Sequence, residues 1–218
     1  MKERKTTKTY FFTVEGETEK LYLDWLQNEF NSNSQSKYKV QISSVVEKKP
    51  LSFAKKKTRL TVPKINHLAD IESKSEEHRK NINSLLDEFK TIKNEKQIEC
   101  DFGYSNYTFE LWIILHKDCF KTPLTDRTKY LSYINRLYGT SFSTLGDYKR
   151  ADNFKSCLKE LDIENVKQAI NNAKKLDKHN FEIGNNVISK YNYTYFESDP
   201  STSVHLLIEA ILKDCKLI

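Results

Sequence analysis

The chain has little cysteine, glycine or proline: of its 218 residues, four are cysteine, five are glycine and four are proline. The cysteines lie far apart without a C-x-x-C pair, which argues against zinc and favours reduced thiols: Cys100, Cys119, Cys157 and Cys215. Neither glycine-rich phosphate-binding pattern, G-x-x-x-x-G-K-[ST] or G-x-G-x-x-G, occurs. We therefore do not expect the chain itself to hydrolyse ATP.

Long apolar runs are also missing, and no stretch of about eighteen apolar residues suggests a membrane span. The charged N-terminus leads into a strand-like segment rather than a signal-peptide core, so we expect a cytoplasmic protein without a membrane partner. No Ser-His-Asp or Cys-His arrangement stands out. The net charge of +6 leans toward a nucleic-acid partner, but many basic proteins bind none.

The hydrophobic pattern predicts an α/β fold. Four short apolar segments at 8–14, 38–46, 62–69 and 98–104 are typical of strands, and helical periodicity separates them. Strands alternating with helices indicate βαβ units and a mostly parallel sheet flanked by helices. After residue 104 the pattern is mainly helical, which gives an α/β region at 1–118 and a mainly helical C-terminal region at 119–218.

The C-terminal region carries two further local signals. An aromatic cluster, Tyr191 to Phe196, alternates like a strand and is interpreted as packing. The last helix has Asp199 as a predicted N-cap and Pro200 at its first position.

Acidic residues follow two predicted strands. Glu15 comes directly after the first strand, and Asp70 and Glu72 come at the end of the third. Because ligand sites in open α/β sheets form at the carboxyl ends of strands, these carboxylates are expected to converge on one hard cation, Mg²⁺ or Mn²⁺. The alternative is that each carboxylate simply caps a helix. Glu17 and Glu19, for example, would interact favourably with the positive N-terminal end of a helix dipole.

Three motifs resemble a known family. They are Val14-Glu15-Gly16-Glu17-Thr18-Glu19-Lys20-Leu21-Tyr22, then Ser105-Asn106-Tyr107-Thr108-Phe109-Glu110-Leu111-Trp112 continuing to Leu115-His116, then Asp199-Pro200-Ser201-Thr202-Ser203-Val204-His205. In this order they are similar to the motifs of the RloB-like family, which is related to the AbiLii-type abortive-infection proteins of bacteria. The set spans nearly the whole chain.

The resemblance implies a Toprim-like fold and a metal-dependent nuclease. Carried over by position, Glu15 is the general acid/base, and Asp70 with Glu72 holds Mg²⁺ or Mn²⁺. The implied substrate is RNA, with tRNA among the candidates, or DNA. The family also implies an effector in anti-phage defence, with an AAA/ABC-type ATPase encoded alongside as partner. The sequence leaves a homo-oligomer open.

This chain departs from the family pattern at three places. Asp70-Ile71-Glu72 stands where the family has Asp-x-Asp, the preceding segment Lys64 to Leu68 is less apolar than the family's strand, and Tyr107 replaces a proline. The first two departures keep open a second interpretation, a catalytically inert Toprim-like module that binds nucleic acid or the partner ATPase.

The remaining polar candidates differ in their positions within the predicted helices and strands. Glu110 is expected to join the acidic cluster, whereas His116 lies about 120° away around the same helix and is expected to be structural. His205 is expected to orient a neighbour. His67, next to the acidic motif, is a candidate for approaching a phosphate.

The most basic stretch of the chain lies between residues 48 and 64. Its candidate nucleic-acid ligands are Lys49, Lys55, Lys56, Lys57 and Arg59. They could contact a phosphate backbone, and Phe53 among them could stack on an unpaired base. A solvated basic loop is the alternative.

Overall fold

A four-stranded parallel sheet forms the centre of the computed structural model, which describes residues 5–71 and 75–218. The strand order is β2-β1-β3-β4, with β1 at Thr7–Val14, β2 at Lys39–Val46, β3 at Lys64–Ile71 and β4 at Glu99–Asn106. All three strand pairs are parallel, so the carboxyl ends of β1, β3 and β4 meet at one edge. The predicted mostly parallel sheet flanked by helices is confirmed.

One face of the sheet packs against helices from both ends of the chain. Alternate strand residues such as Phe12, Val14 and Leu68 point to this face because strand side chains alternate. They pack with α1 (Glu17–Ser32), α4 (Glu110–Leu115) and α9 (Val204–Asp214). The same cluster continues into α5 (Tyr130–Tyr138), α7 (Ala151–Leu158) and α8 (Ile163–Glu182). The two predicted regions therefore share one hydrophobic cluster.

The opposite face packs against α3 (Glu76–Lys96), whose apolar stripe recurs at helical spacing. The short helix α2 (Pro50–Lys55) lies beside α3. A hairpin of β5 (Val187–Lys190) and β6 (Tyr193–Phe196) completes this side, with Tyr195 in the cluster. The predicted packing role is confirmed for Tyr193, Tyr195 and Phe196, whereas Tyr191 is exposed at the turn before β6.

A glycine allows α9 to approach β4 closely. A Cβ atom at Gly103 would lie 2.8 Å from Cδ1 of Leu207 and 2.8 Å from Cδ2 of Leu68. Since these distances are shorter than real Cβ contacts, a larger residue here would force the Leu207 and Leu68 side chains to shift. The C-terminal helix is thus packed directly onto the central sheet.

The start of the last helix differs from the prediction. Helix α9 begins at Val204 with Ser203 before it, so Asp199 is not its N-cap and Pro200 is not helical. The Asp199–Pro200 peptide bond is cis, and Oδ2 of Asp199 accepts from the backbone N–H of Leu124 at 2.7 Å. Asp199 therefore anchors the loop that contains Leu124 instead of capping a helix.

Helices α2, α6 (Leu145–Tyr148) and α7 were not predicted. Each has eight residues or fewer, too few for a periodic pattern to show clearly in the sequence. In residues 5–71 and 75–218, no helix combines the length and apolar character that crossing a membrane requires.

Candidate acidic active site

The ends of three parallel strands bring the predicted acidic residues to one edge. Glu15 follows the last residue of β1, and Asp70 is the penultimate residue of β3. In the strand register Asp70 is opposite Ser105 of β4, and four residues after β4 comes Glu110 at the start of α4. Glu72 belongs to residues 72–74, outside the described residues, so its place in the site stays a prediction.

Glu15 and Asp70 are directly connected. The backbone N–H of Asp70 donates to Oε2 of Glu15 at 3.3 Å, and both residues are partly buried. This contact joins the end of β1 to the end of β3. The predicted approach of these two residues is therefore present.

Glu19, in the first turn of α1, adds another carboxylate to the edge. Glu19 is buried, and a Cβ atom at Gly16 would lie 3.0 Å from Oε2 of Glu19. Gly16 thus leaves room for the carboxylate to fold back toward the strand ends. The sequence predicted only that Glu19 would interact with the helix dipole. Its burial was not predicted, because nothing local in the sequence shows that other elements pack over this side of α1.

Glu110 has no exposed surface, and its Oε1 makes an ion pair but no hydrogen bond. Oε2 accepts from the hydroxyl of Thr108, and Oε1 lies 3.1 Å from Nζ of Lys149. The Lys149 side chain is 39% exposed, so this ammonium lies at the boundary between the buried carboxylate and solvent. The charge of Glu110 acts on Asp70 and on Glu19, so it lies near both, and its role in the site stays a prediction.

The carboxylates perturb one another. Burial raises the pKa of Asp70 well above its usual range, and the charges of Glu19, Glu110 and Glu15 raise it further. Burial likewise raises the pKa of Glu19 to about 7, with smaller contributions from Glu110 and Glu15. Such mutual repulsion is what a cation at this edge would relieve.

Lys149 supplies one such cation. Burial lowers the pKa of its ammonium, but the attraction of Glu110, Asp70 and Glu19 outweighs burial, so the pKa is raised overall. The positive charge of Lys149 in turn lowers the pKa of Asp70 and Glu19. One lysine therefore offsets part of the negative charge of the cluster.

The donor set suits a hard divalent cation in kind. Glu15, Glu19 and Asp70 offer only carboxylate oxygens, the ligands that Mg²⁺ and Mn²⁺ prefer. Across residues 5–71 and 75–218, no three Asp, Glu, His or Cys side chains are arranged so as to hold a metal ion by themselves. Of the predicted ligand set, Glu15 and Asp70 lie at one strand edge and Glu72 is outside the described residues, so the metal site stays a prediction.

A cleft of about 280 Å³ opens beside the acidic edge, on the α3 face of the sheet. Glu15 and Asp70 line one end, and Lys48 and Lys49 contribute positive charge. Its other wall is α3, which presents Asn81 among buried apolar side chains. Lysine and carboxylate side chains thus share one opening.

The rest of the basic stretch runs away from this cleft along α2 and α3. The backbone N–H of Leu51 donates to Glu88, whereas the carbonyl of Lys55 accepts from Lys96, eight residues further along α3. Eight residues of α-helix span about 12 Å. Arg59 also lies at that far end, with Nη1 3.4 Å from Oε1 of Gln97.

The predicted basic ligands therefore do not form one patch. Lys49 lines the cleft, while Lys55 and Arg59 lie toward the amino ends of the strands. Lys56 and Lys57 follow α2, and the ammonium of Lys57 lies 5.2 Å from the ring centre of Phe53. Their binding of nucleic acid stays a prediction.

The histidines of the motifs are structural. His116 is fully buried, and its ring nitrogens bond to the Tyr22 hydroxyl at 3.1 Å and the Trp112 carbonyl at 2.9 Å. The expected structural role of His116 is confirmed. His205 is also buried, with Nε2 3.4 Å from a carboxylate oxygen of Asp177, in keeping with the expected orienting role.

His67 does not meet its expectation. It is fully buried, and its Nδ1 lies 2.8 Å from the Thr13 hydroxyl. Burial lowers the pKa of its imidazole to about 3. As a neutral side chain inside the sheet layer, it cannot approach a phosphate.

The three sequence motifs meet in space. Tyr22 of the first motif bonds to His116 of the second. Asn106 of the second motif donates from its side-chain nitrogen to Oγ of Ser201 at 2.8 Å, and Ser105 pairs with Thr202. Residues far apart in the sequence therefore build and brace the same edge of the sheet.

Fold and site together define an α/β protein with an acidic centre at the carboxyl edge of a parallel sheet, braced by a helical C-terminal region. The family model described as RloB-like protein matches residues 10–211. The chain belongs to the RloB-like family. No curated protein and no solved structure matches it.

Proposed function

We propose that this chain is a metal-dependent nuclease that hydrolyses phosphodiester bonds of RNA, with tRNA among the candidates, or DNA. The observation that carries the proposal is the group of carboxylates at one strand edge, Glu15, Glu19, Asp70 and Glu110, two of which have a strongly raised pKa. Perturbed, partly buried carboxylates beside a cleft are typical of catalytic sites.

Glu15 and Asp70, with Glu72 as the third ligand, are proposed to hold Mg²⁺ or Mn²⁺. When bound, the ion would polarise a phosphodiester and lower the pKa of a bound water. Glu15 is also the proposed general acid/base, since it borders the cleft. Membership of the family and the Toprim-like order of the acidic residues support this assignment.

The cleft gives the proposed substrate a route to the acidic edge. Lys48 and Lys49 supply positive charge within the opening that Glu15 and Asp70 line. Contacts of lysine with phosphates provide much of the sequence-independent affinity for nucleic acid. A nucleic-acid backbone in the cleft would therefore lie near both the lysines and the carboxylates.

The biological setting is a proposal that rests on the family. Resemblance to abortive-infection proteins supports an effector role in anti-phage defence, with an AAA/ABC-type ATPase encoded alongside as partner. The lack of both glycine-rich phosphate patterns in the chain agrees with a separate ATPase. Under this proposal the nuclease is held inactive until its partner responds to infection.

A second candidate function is an inert module that binds nucleic acid or the ATPase. Lys149 favours it, because an ammonium 3.1 Å from Glu110 already offsets negative charge in the cluster. Such a module would keep its affinity for nucleic acid in a chelator, with a strong dependence on salt.

The test is cleavage of labelled tRNA, single-stranded RNA and plasmid DNA in Mg²⁺, Mn²⁺ or EDTA, with and without the neighbouring ATPase. Wild type is compared with Glu15→Gln and with Glu17→Gln, a matched control whose side chain is exposed two residues away. The proposal expects metal-dependent cutting by wild type and Glu17→Gln that Glu15→Gln lacks. Binding without cutting under every condition would support the inert module.

A further inference from the structure

Lys149 reaches the acidic edge from a firmly anchored turn of the C-terminal region. It ends α6, and its backbone N–H donates to the carbonyl of Leu145 at 2.9 Å. The preceding residue, Tyr148, is fully buried and packs edge-on against Phe154 with ring centres 5.6 Å apart. The position of the Lys149 backbone is therefore set by packing.

The head of the side chain is held from the sheet side. Glu110 is fixed by the Thr108 hydroxyl on one oxygen and pairs with Lys149 through the other. Because the Thr108 hydroxyl fixes one oxygen of Glu110, the other oxygen offers the ammonium a positioned negative charge. Glu110 thus differs from Glu15 and Asp70, which line the open cleft.

The ammonium acts on more than its direct partner. Its charge reaches Asp70 and Glu19 as well as Glu110. A divalent cation attracted by the same carboxylates would share them with this positive charge. Two cations close to the same carboxylates repel each other in partly desolvated surroundings.

We propose that Lys149 is the built-in counter-ion of the acidic centre and limits the affinity of that centre for a divalent cation, with Glu110 and Thr108 as its positioning residues. The inference rests on the proposed function for the cation site itself. It assigns to Lys149 an electrostatic role that a merely structural lysine would not have. A structural lysine would hold the carboxylates in place, and its loss would weaken cation binding.

The experiment is calorimetric titration of Mn²⁺ into the full chain at pH 8, above the pKa of about 7 of Glu19. Lys149→Met removes the charge, and Lys149→Gln removes it while keeping a hydrogen-bond donor for Glu110. Lys149→Arg keeps the charge. Lys155→Met removes an exposed lysine of α7 and controls for net charge.

The expected result is Mn²⁺ affinity about tenfold higher in Lys149→Met and Lys149→Gln, with wild-type affinity in Lys149→Arg and Lys155→Met. Either neutral variant suffices, provided that it melts cooperatively. Equal or weaker binding in a folded neutral variant overturns the inference. If wild type itself binds no Mn²⁺, the proposed cation site fails first, which is a different outcome from equal binding by all variants.

Discussion

Nζ of Lys149 lies 3.1 Å from Oε1 of Glu110, and the two residues come from the two predicted regions of the chain. The lysine side chain keeps 39% of its surface exposed, whereas the glutamate has none. A fully buried carboxylate requires hydrogen bonds or an opposite charge to offset its lost hydration. The helical C-terminal region therefore contributes to the electrostatics of the acidic edge as well as covering the sheet.

Replacement of Glu110 by alanine should destabilise the fold. It leaves the Thr108 hydroxyl and the Lys149 ammonium without their partner and opens a small cavity. We expect a loss of about 1–3 kcal/mol, reduced from the full cost of breaking a buried pair because Lys149 can turn to solvent. Urea unfolding measures the loss of stability. Glu164→Ala is the control, because Glu164 is an exposed glutamate that also pairs with a lysine, Lys167. Equal stability of both variants would contradict the prediction.

Stability should fall as pH rises, in part because of Glu19. The pKa of its carboxyl is about 7 in the folded chain, against an ordinary value of 4.5, so the folded chain binds the extra proton between these values. The contribution of this group to stability is therefore greatest below pH 4.5, and it is lost as the pH rises through about 7. In Glu19→Gln, urea midpoints at pH 5 and pH 8 should differ less than in wild type. The burial-raised pKa values of Asp70 and Asp177 leave a residual slope.

Glu17→Gln is the matched control for that pH effect. Glu17 is exposed in the same turn of α1, so its variant should keep the wild-type pH dependence. An unchanged pH dependence in Glu19→Gln would show that the Glu19 carboxyl is ordinary, and would remove it from the acidic centre.

His116→Ala should reduce stability without a specific effect on the site. The variant loses contacts to the Tyr22 hydroxyl and the Trp112 carbonyl inside the core. We expect a loss of about 2–4 kcal/mol from the cavity and the unpaired tyrosine hydroxyl. Thermal melting measures the loss, and Mn²⁺ titration of the folded variant should give wild-type affinity. A large drop in Mn²⁺ affinity with an unchanged melting temperature would contradict a structural role.

Lys49→Ala should weaken nucleic-acid binding more than Lys57→Ala. Lys49 lines the cleft with Glu15 and Asp70, whereas Lys57 follows α2 and lies over Phe53. Loss of one phosphate contact should lower affinity several-fold and reduce the salt slope by about one unit. Fluorescence anisotropy with labelled RNA in EDTA measures both variants. Equal losses would assign binding to the whole basic stretch instead of the cleft.

The strands and the first acidic residues could be predicted because their signals are local. Short apolar segments mark β1 to β4, and a parallel arrangement places Glu15 and Asp70 at one edge. Glu110 could be placed there because it opens the helix that follows β4. These steps need only periodicity and the direction of the strands.

Glu19 and Lys149 could not be predicted in the same way. The first turn of a helix is normally a solvated place for glutamate, and the sequence does not show that α7 packs against α1. Lys149 is one of many lysines in the chain, and only the packing of Tyr148 and Phe154 brings it to Glu110. Asp199 was misassigned because an acidic residue before proline resembles a helix cap, although here it ties a loop.

The most direct test of the account is Mn²⁺ binding by wild type, Glu15→Gln and Glu17→Gln at pH 8. If the acidic edge is a divalent-cation site, wild type and Glu17→Gln bind Mn²⁺ with the same affinity, and Glu15→Gln loses at least about tenfold because a ligand charge is removed. Equal binding by Glu15→Gln and Glu17→Gln, or no saturable binding by wild type, would show that the acidic edge is not a divalent-cation site built on Glu15.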